Sequence, residues 1–70
     1  MLTIKQKMVL EAIEWYIKKY GYSPTNRELA NLLRCDVNTV FKKILILEDK
    51  GYIKTKNGQA RTIRIVKKVE

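Results

Sequence analysis

Hydrophobic residues recur at three- and four-residue spacing over residues 4–20, which predicts an amphipathic first helix. Thr3 and Gln6 match a capping box at its start, and Gly21 stands where a helix-terminating glycine is expected. The face that we expect to be buried, with Leu10 at its edge, comprises Val9, Ile13, Tyr16, Ile17 and Tyr20.

A second, shorter helix is predicted over residues 26–33. Thr25 and Glu28 repeat the capping-box pattern before it, and Arg34-Cys35 is the expected turn after it. We expect Cys35 to pack between the helices as a small apolar residue. The apolar side of this helix is supplied by Leu29, Ala30, Leu32 and Leu33.

A third helix is predicted over residues 37–50, with Asp36 as its N-cap and Gly51 as its stop. An acidic N-cap also complements the positive end of the helix dipole. The expected core stripe of this helix comprises Val37, Val40, Ile44 and Leu47.

The end of the chain alternates between apolar and polar residues, which predicts strands over 52–56 and 60–66. A two-residue loop would pair Ile53 with Thr62, whereas a three-residue loop would pair Ile53 with Ile63. Core formation favours the second register, because it places both isoleucines on one face.

This element order predicts a small α+β fold, mostly α, of the winged helix-turn-helix type. Three helices are followed by a β-hairpin wing over residues 52–66, and residues 1–70 form a single domain.

The composition is strongly basic, which changes the expected partner. Fifteen Lys and Arg residues against seven Asp and Glu give a net charge of +8 and a pI near 9.8. These values are typical of a nucleic-acid-binding module, although many small domains are basic without binding a polyanion.

Other classes of protein are disfavoured by what the chain contains. Cys35 stands alone and there is no histidine, so we expect no disulfide framework, metal site, cofactor or enzyme activity. The N-terminal segment does not match a signal peptide, and no apolar run is long enough to span a membrane. We therefore expect a cytoplasmic protein, with no membrane partner and no evident small-molecule ligand.

The pattern G-Y-x-P-T-x-R-E over 21–28 and the segment KGYI are specific in combination, although each alone would be weak. The larger set of segments comprises 21–25 (GYSPT), 27–30 (RELA), 50–53 (KGYI) and 61–65 (RTIRI). Together with the spacing of the first helix, they resemble the N-terminal DNA-binding domain of LexA-type repressors over nearly the whole chain. The family also has a C-terminal self-cleaving peptidase domain with a Ser-Lys dyad. These residues lack it, so we expect neither autocleavage nor the family's main dimerisation element.

The turn before the third helix departs from the family pattern. It is shorter, and Arg34 stands where the family usually has glycine. A left-handed conformation at Arg34 would cost on the order of 1 kcal/mol relative to glycine.

The resemblance implies that the third helix is the recognition helix. We predict that its outward residues face DNA bases: Asn38, Thr39, Lys42 and Lys43. Asparagine can bond adenine, threonine can touch a thymine methyl, and lysine can reach guanine. Alternatively, these are ordinary solvated helix residues, and Asn38 has a local role at the helix N-terminus.

Phosphate contacts are predicted for Arg27, Lys54, Lys56 and Arg61, with Asn57-Gly58 at the tip of the wing. Alternatively, the wing lysines protect a hairpin edge against aggregation, and Arg27 is a surface helix residue.

Several apolar residues lie outside the predicted core stripes. They form a candidate interface with a second copy of the chain or another protein: Met8, Trp15, Phe41, Leu45 and Ile46. In the alternative arrangements, Phe41 covers the core edge or touches a thymine methyl, and Trp15 packs with Met8 beneath the C-terminal residues.

Two functions follow. The first is sequence-specific binding of double-stranded DNA by a small repressor-like transcriptional regulator, with the recognition helix in the major groove. The second is a winged-helix interaction module that modulates another regulator, which Phe41, Leu45 and Ile46 favour.

Overall fold

The computed structural model describes residues 2–56 and 61–67. Three helices, α1 (Ile4–Tyr20), α2 (Asn26–Leu33) and α3 (Val37–Asp49), precede two antiparallel strands. The strands are short, β1 (Ile53–Lys54) and β2 (Arg64–Ile65). The predicted fold class and its element order are confirmed. α1 and α2 span the residues predicted for them, and α3 ends at Asp49 with Lys50 as its C-cap.

Both predicted capping boxes are present. The Thr3 and Thr25 hydroxyls accept hydrogen bonds from the N–H groups of Gln6 and Glu28, each at 3.1 Å. The Gln6 and Glu28 side chains accept in return from the two threonine N–H groups. Lys50 Nζ also donates to Gln6 Oε1 at 3.0 Å, so the end of α3 is joined to the start of α1.

The core is one apolar cluster to which all three helices and the hairpin contribute. On α3 the cluster includes Val40, Ile44 and Leu47, which lie on one side of the helix. Because that side is buried, the opposite side of α3 faces solvent. The remaining buried apolar members are Val9, Leu10, Ile13, Leu29, Ala30, Tyr52, Ile53 and Ile63.

Four expected core residues are exposed instead. Tyr20 and Val37 stand at helix ends, beyond the reach of the packed core, and Leu32 lies off the inner side of α2. The prediction that Cys35 is buried is also wrong. The buried small residue at this corner is Ala30, whose carbonyl accepts the Cys35 N–H at 3.0 Å.

The strand register differs from both predicted pairings. Ile53 lies opposite Ile65, and Lys54 lies opposite Arg64. The Ile63 N–H donates to the Ser23 hydroxyl at 3.1 Å rather than across the hairpin, so pairing begins two residues later. A two-residue shift keeps each side chain on its face, and Ile63 is buried as predicted. The predicted turn at 57–58 lies outside the described residues.

Candidate nucleic-acid interface

The solvent-facing side of α3 has a mixed composition. Asn38, Phe41, Lys42 and Leu45 stand at i, i+3, i+4 and i+7, the spacing that places side chains on one side of a helix. We call these four residues the outer face of α3. All four are exposed, and within residues 2–56 and 61–67 Asn38 and Lys42 make no side-chain hydrogen bond or ion pair. Their polar groups therefore remain available to an external ligand.

Thr39 and Lys43 lie on a different side of the same helix. They line a shallow groove of about 240 Å³ together with Lys5, Met8 and Cys35. Lys43 is half-buried, whereas Thr39 is exposed. The structure thus separates the four residues predicted to face bases into two rows, of which Asn38 and Lys42 lie farther from the core.

The turn before α3 depends on an unusual backbone conformation. Arg34 is left-handed, with φ of 56°, as expected if it replaces a glycine. Its N–H donates to the Asn31 carbonyl at 3.3 Å and closes the end of α2. Asp36 occupies the predicted N-cap position of α3 but makes no side-chain capping hydrogen bond. The start of α3 is therefore positioned by the turn backbone and the core.

The exposed face of the hairpin carries two cations directly opposite each other. Lys54 on β1 pairs in register with Arg64 on β2, and both are exposed. Neither makes a side-chain hydrogen bond or ion pair within the described part of the chain. Arg64 was not among the predicted contacts, although its alternation with the buried Ile63 was a sufficient signal. Lys56, which follows the end of β1 by two residues, is also exposed.

Arg61 occupies a different environment from the other wing cations. One guanidinium nitrogen donates to the Ser23 carbonyl at 3.2 Å, and the other donates to Glu28 Oε2 at 2.9 Å. The guanidinium also lies over the Tyr22 ring, 4.8 Å from its centroid. These contacts join the wing to the segment before α2, so the placement favours a structural role for Arg61 over a phosphate contact.

The pKa values of Glu28, Arg61 and Tyr16 reflect these contacts. The Thr25 N–H and then the Arg61 guanidinium lower the pKa of Glu28 to about 2. The pKa of Arg61 is raised, chiefly by Glu28. Burial raises the pKa of the nearby Tyr16 hydroxyl, and Glu28 adds to that effect. The Glu28–Arg61 pair is therefore charged under ordinary conditions.

The other predicted residues are distributed over several surfaces. Arg27 is exposed in the first turn of α2. Trp15 lies edge-on to Tyr20, with ring centroids 6.3 Å apart, while Met8 lines the groove beside Thr39. Met8 and Trp15 therefore have different neighbours, Met8 on the Thr39 side of α3 and Trp15 at the end of α1.

Two further observations concern the described residues alone. Within 2–56 and 61–67, no helix combines the length and the apolar character needed to cross a bilayer. No three His, Cys, Asp or Glu side chains in those ranges come together as a metal-binding group.

Comparison with known proteins supplies the family. A family model for the LexA DNA binding domain matches residues 1–62. The LexA repressor of Thermotoga neapolitana is 44% identical over 69 residues, which cover 99% of this chain and 35% of that protein. The LexA repressor of Thermotoga maritima is 43% identical, over 97% of this chain and 34% of that protein.

A relative from another genus gives the same result. The LexA repressor of Geobacter metallireducens is 42% identical over 66 residues, which cover 93% of this chain and 33% of that protein. The chain thus spans about a third of the length of these relatives. The fold, with three helices and a hairpin, and the match over residues 1–62 show that this chain belongs to the LexA DNA-binding domain family.

Proposed function

We propose that the chain binds double-stranded DNA sequence-specifically and acts as a small transcriptional regulator of the repressor type. The observation that carries the proposal is the outer face of α3. Asn38 and Lys42 stand there one turn apart, exposed and without partners among the described residues. Inserted in a major groove, their amide and ammonium groups would reach the edges of adenine and guanine.

The charge of the molecule supports the same partner. A net charge of +8 on 70 residues attracts a polyanion. Lys54, Lys56 and Arg64 present ammonium and guanidinium groups to solvent on the hairpin. In the proposed complex they contact backbone phosphates, and Arg27 does so from α2. Such contacts fix the position of the domain without reading sequence.

The size of the winged helix-turn-helix domain bears on how specificity arises. One domain of this size reads few base pairs, so we propose that two copies bind one operator. Their centres would lie about 34 Å apart, one turn of the double helix. The operator would then be a palindrome or a near-palindrome.

The test is selection of bound duplexes from a random pool, followed by titration of the enriched sequence at several salt concentrations. We expect an enriched palindromic motif. With about six phosphate contacts, affinity should fall about 10³-fold between 50 and 200 mM salt. Absence of binding to every duplex at 50 mM salt, or binding that is insensitive to salt, would contradict the proposal.

A second function is favoured by one observation. Phe41, Leu45 and Ile46 expose 48%, 49% and 36% of their surface on α3. Exposed apolar groups on one helix are typical of protein interfaces, and a module of this fold could modulate another regulator through them. Light scattering between low and high micromolar concentration tests the homodimer version, and a constant monomer mass would contradict it.

A further inference from the structure

The outer face of α3 contains two large apolar side chains among its polar ones. Phe41 is 48% exposed and Leu45 is 49% exposed, and neither belongs to the core cluster. They stand one helical turn apart at i and i+4. Hydration of exposed apolar surface is unfavourable, so contact of these two side chains with a ligand would be favourable.

The position of these two residues relative to the polar ones is fixed by helical geometry. Phe41 follows Asn38 by three residues, and Leu45 follows Lys42 by three. Neighbours at this spacing are about 5–6 Å apart at their Cβ atoms. A groove that receives Asn38 and Lys42 must therefore also receive Phe41 and Leu45, since no rotation of α3 separates the two pairs.

The chemistry of the groove limits what an apolar side chain can contact there. Among the edges displayed by the four bases, the major groove presents one apolar group, the C5-methyl of thymine. Apart from the small C5–H of cytosine, the other groups that distinguish the base pairs there are hydrogen-bond donors or acceptors. Against those, a phenyl or isobutyl group would remove water without replacing its hydrogen bonds.

Charge on the same helix side favours DNA over an apolar protein surface. Lys42 is a neighbour of Leu45 on the outer face, and burying its ammonium against an apolar partner would be costly. Against DNA, the same ammonium is attracted. Asp49 follows Leu45 by one turn and is exposed. Its negative charge would repel a polyanion, so the surface suited to DNA ends before it.

We propose that Phe41 and Leu45 are specificity-determining residues that contact thymine methyl groups in the major groove. The protein then prefers A·T pairs beneath this part of α3. Asn38 identifies an adenine next to the apolar contacts, so the recognised sequence combines an adenine contact with one or two thymine methyls. The inference rests on the proposed DNA-binding function and gives that function its base preference.

The experiment replaces thymine by uracil, one position at a time, in the duplex enriched by selection. Uracil lacks only the C5-methyl group and pairs normally with adenine. We expect about fourfold weaker binding at one or two positions, the effect of removing one methyl from an apolar contact. The thymines at all other positions should tolerate the change.

Variants of the 70-residue chain assign the effect to a side chain. Phe41→Ala should bind the thymine duplex more weakly and lose the sensitivity to uracil at one position, as should Leu45→Ala at another. Both residues are exposed, so circular dichroism and the thermal midpoint should remain as in the wild type. Trp15→Ala is the matched control, because Trp15 is an exposed aromatic residue on α1. It should retain both the affinity and the sensitivity.

Three outcomes would overturn the inference. The wild type could bind uracil and thymine duplexes equally at every position, or both alanine variants could keep the full sensitivity. Phe41→Ala could also leave duplex affinity unchanged while lowering the mass measured by light scattering, which would assign Phe41 to a protein contact. Failure of the wild type to bind any duplex at 50 mM salt would instead overturn the proposed function itself.

Discussion

The outer face of α3 and the β-hairpin are both exposed and both carry cations, yet they are held in place in different ways. α3 is fixed from behind by Val40, Ile44 and Leu47, and Asn38 and Lys42 on its outer face make no hydrogen bond or ion pair with the described residues. Among the described residues of the hairpin, two positions on each strand are paired. Hydrogen bonds to Ser23, Glu28 and Glu48, which lie outside the hairpin, hold it in place.

This difference shows that a basic residue in the sequence is not always a basic residue available to a ligand. Arg61 and Arg64 are three residues apart on the same hairpin. Arg61 is paired with Glu28 at 2.9 Å, whereas Arg64 faces Lys54 and has no partner among the described residues. Under the proposed function, the first stabilises the wing and the second contacts phosphate.

The largest expected effect comes from the outer face of α3. Asn38→Ala should weaken binding to the selected duplex by about 1–3 kcal/mol and relax specificity at one adenine. The free energy of unfolding should change by less than about 0.5 kcal/mol, because the side chain is exposed. Binding titrations against duplexes with each base at that position provide the measurement.

Asn31→Ala is the matched control for Asn38→Ala, since Asn31 is an exposed asparagine on α2. It should leave affinity and base preference unchanged. Equal losses in the two variants would mean that Asn38 does not distinguish bases.

The second expected effect distinguishes binding from stability on the hairpin. Lys54→Gln should weaken binding to all duplexes alike and lower the salt slope by about 1. The free protein should become more stable by roughly 0.2–1 kcal/mol, because Lys54 faces another cation directly across the strands. Titrations at several salt concentrations and thermal unfolding of the free protein measure the two effects.

Lys18→Gln removes an equal charge from the end of α1 and serves as the control. It should change neither the salt slope nor the thermal midpoint appreciably. If Lys54→Gln behaves in the same way, Lys54 does not contact phosphate.

The two regions also differ in how much of them the sequence could predict. The helices were predictable because local signals coincide: Thr3 with Gln6, Thr25 with Glu28, and apolar spacing for the inner sides. The hairpin register was not, because it depends on the Ser23 hydroxyl, which is 40 residues away in sequence and accepts the Ile63 N–H. The contacts of Arg61 were missed for the same reason.

Within the candidate interface, composition and helical spacing predicted that Asn38 and Lys42 face outward but did not separate them from Lys43. That separation depends on where α1 crosses α3, since Lys43 and Met8 line one groove. The burial of Cys35 was predicted from the average preference of cysteine. That preference does not hold in this turn, whose geometry Arg34 determines, and Cys35 is exposed.

A third effect concerns the turn that positions α3. Arg34→Gly should stabilise the protein by about 1 kcal/mol and raise Tm by about 4–8 °C, because glycine adopts the left-handed conformation without strain. Arg34→Ala retains the Cβ atom and should give little or no gain, so the pair isolates the backbone effect. Equal thermal midpoints for the two variants would contradict the prediction, because the Cβ atom would then cause no strain in the left-handed conformation.

The smallest expected effect tests the ion pair between Glu28 and Arg61, which connects α2 to the wing. The pKa of Glu28 falls from 4.5 to about 2 on folding, first through the Thr25 N–H and then through Arg61. Because the folded-state pKa is lowered, the contribution of Glu28 to stability is fully present above pH 4.5 and is lost as pH falls toward about 2. Thermal midpoints across that range should therefore fall more steeply in the wild type than in Glu28→Gln.

Glutamine can still complete the capping box, so Glu28→Gln removes the charge while keeping the helix start. Arg61→Gln should reduce the acid sensitivity without abolishing it, since the Thr25 N–H is the larger cause of the lowered pKa. The double variant should then resemble Glu28→Gln. If Arg61→Gln retains the full acid sensitivity of the wild type, the ion pair does not hold the wing, and the contrast between Arg61 and Arg64 would have to rest on the Ser23 contact alone.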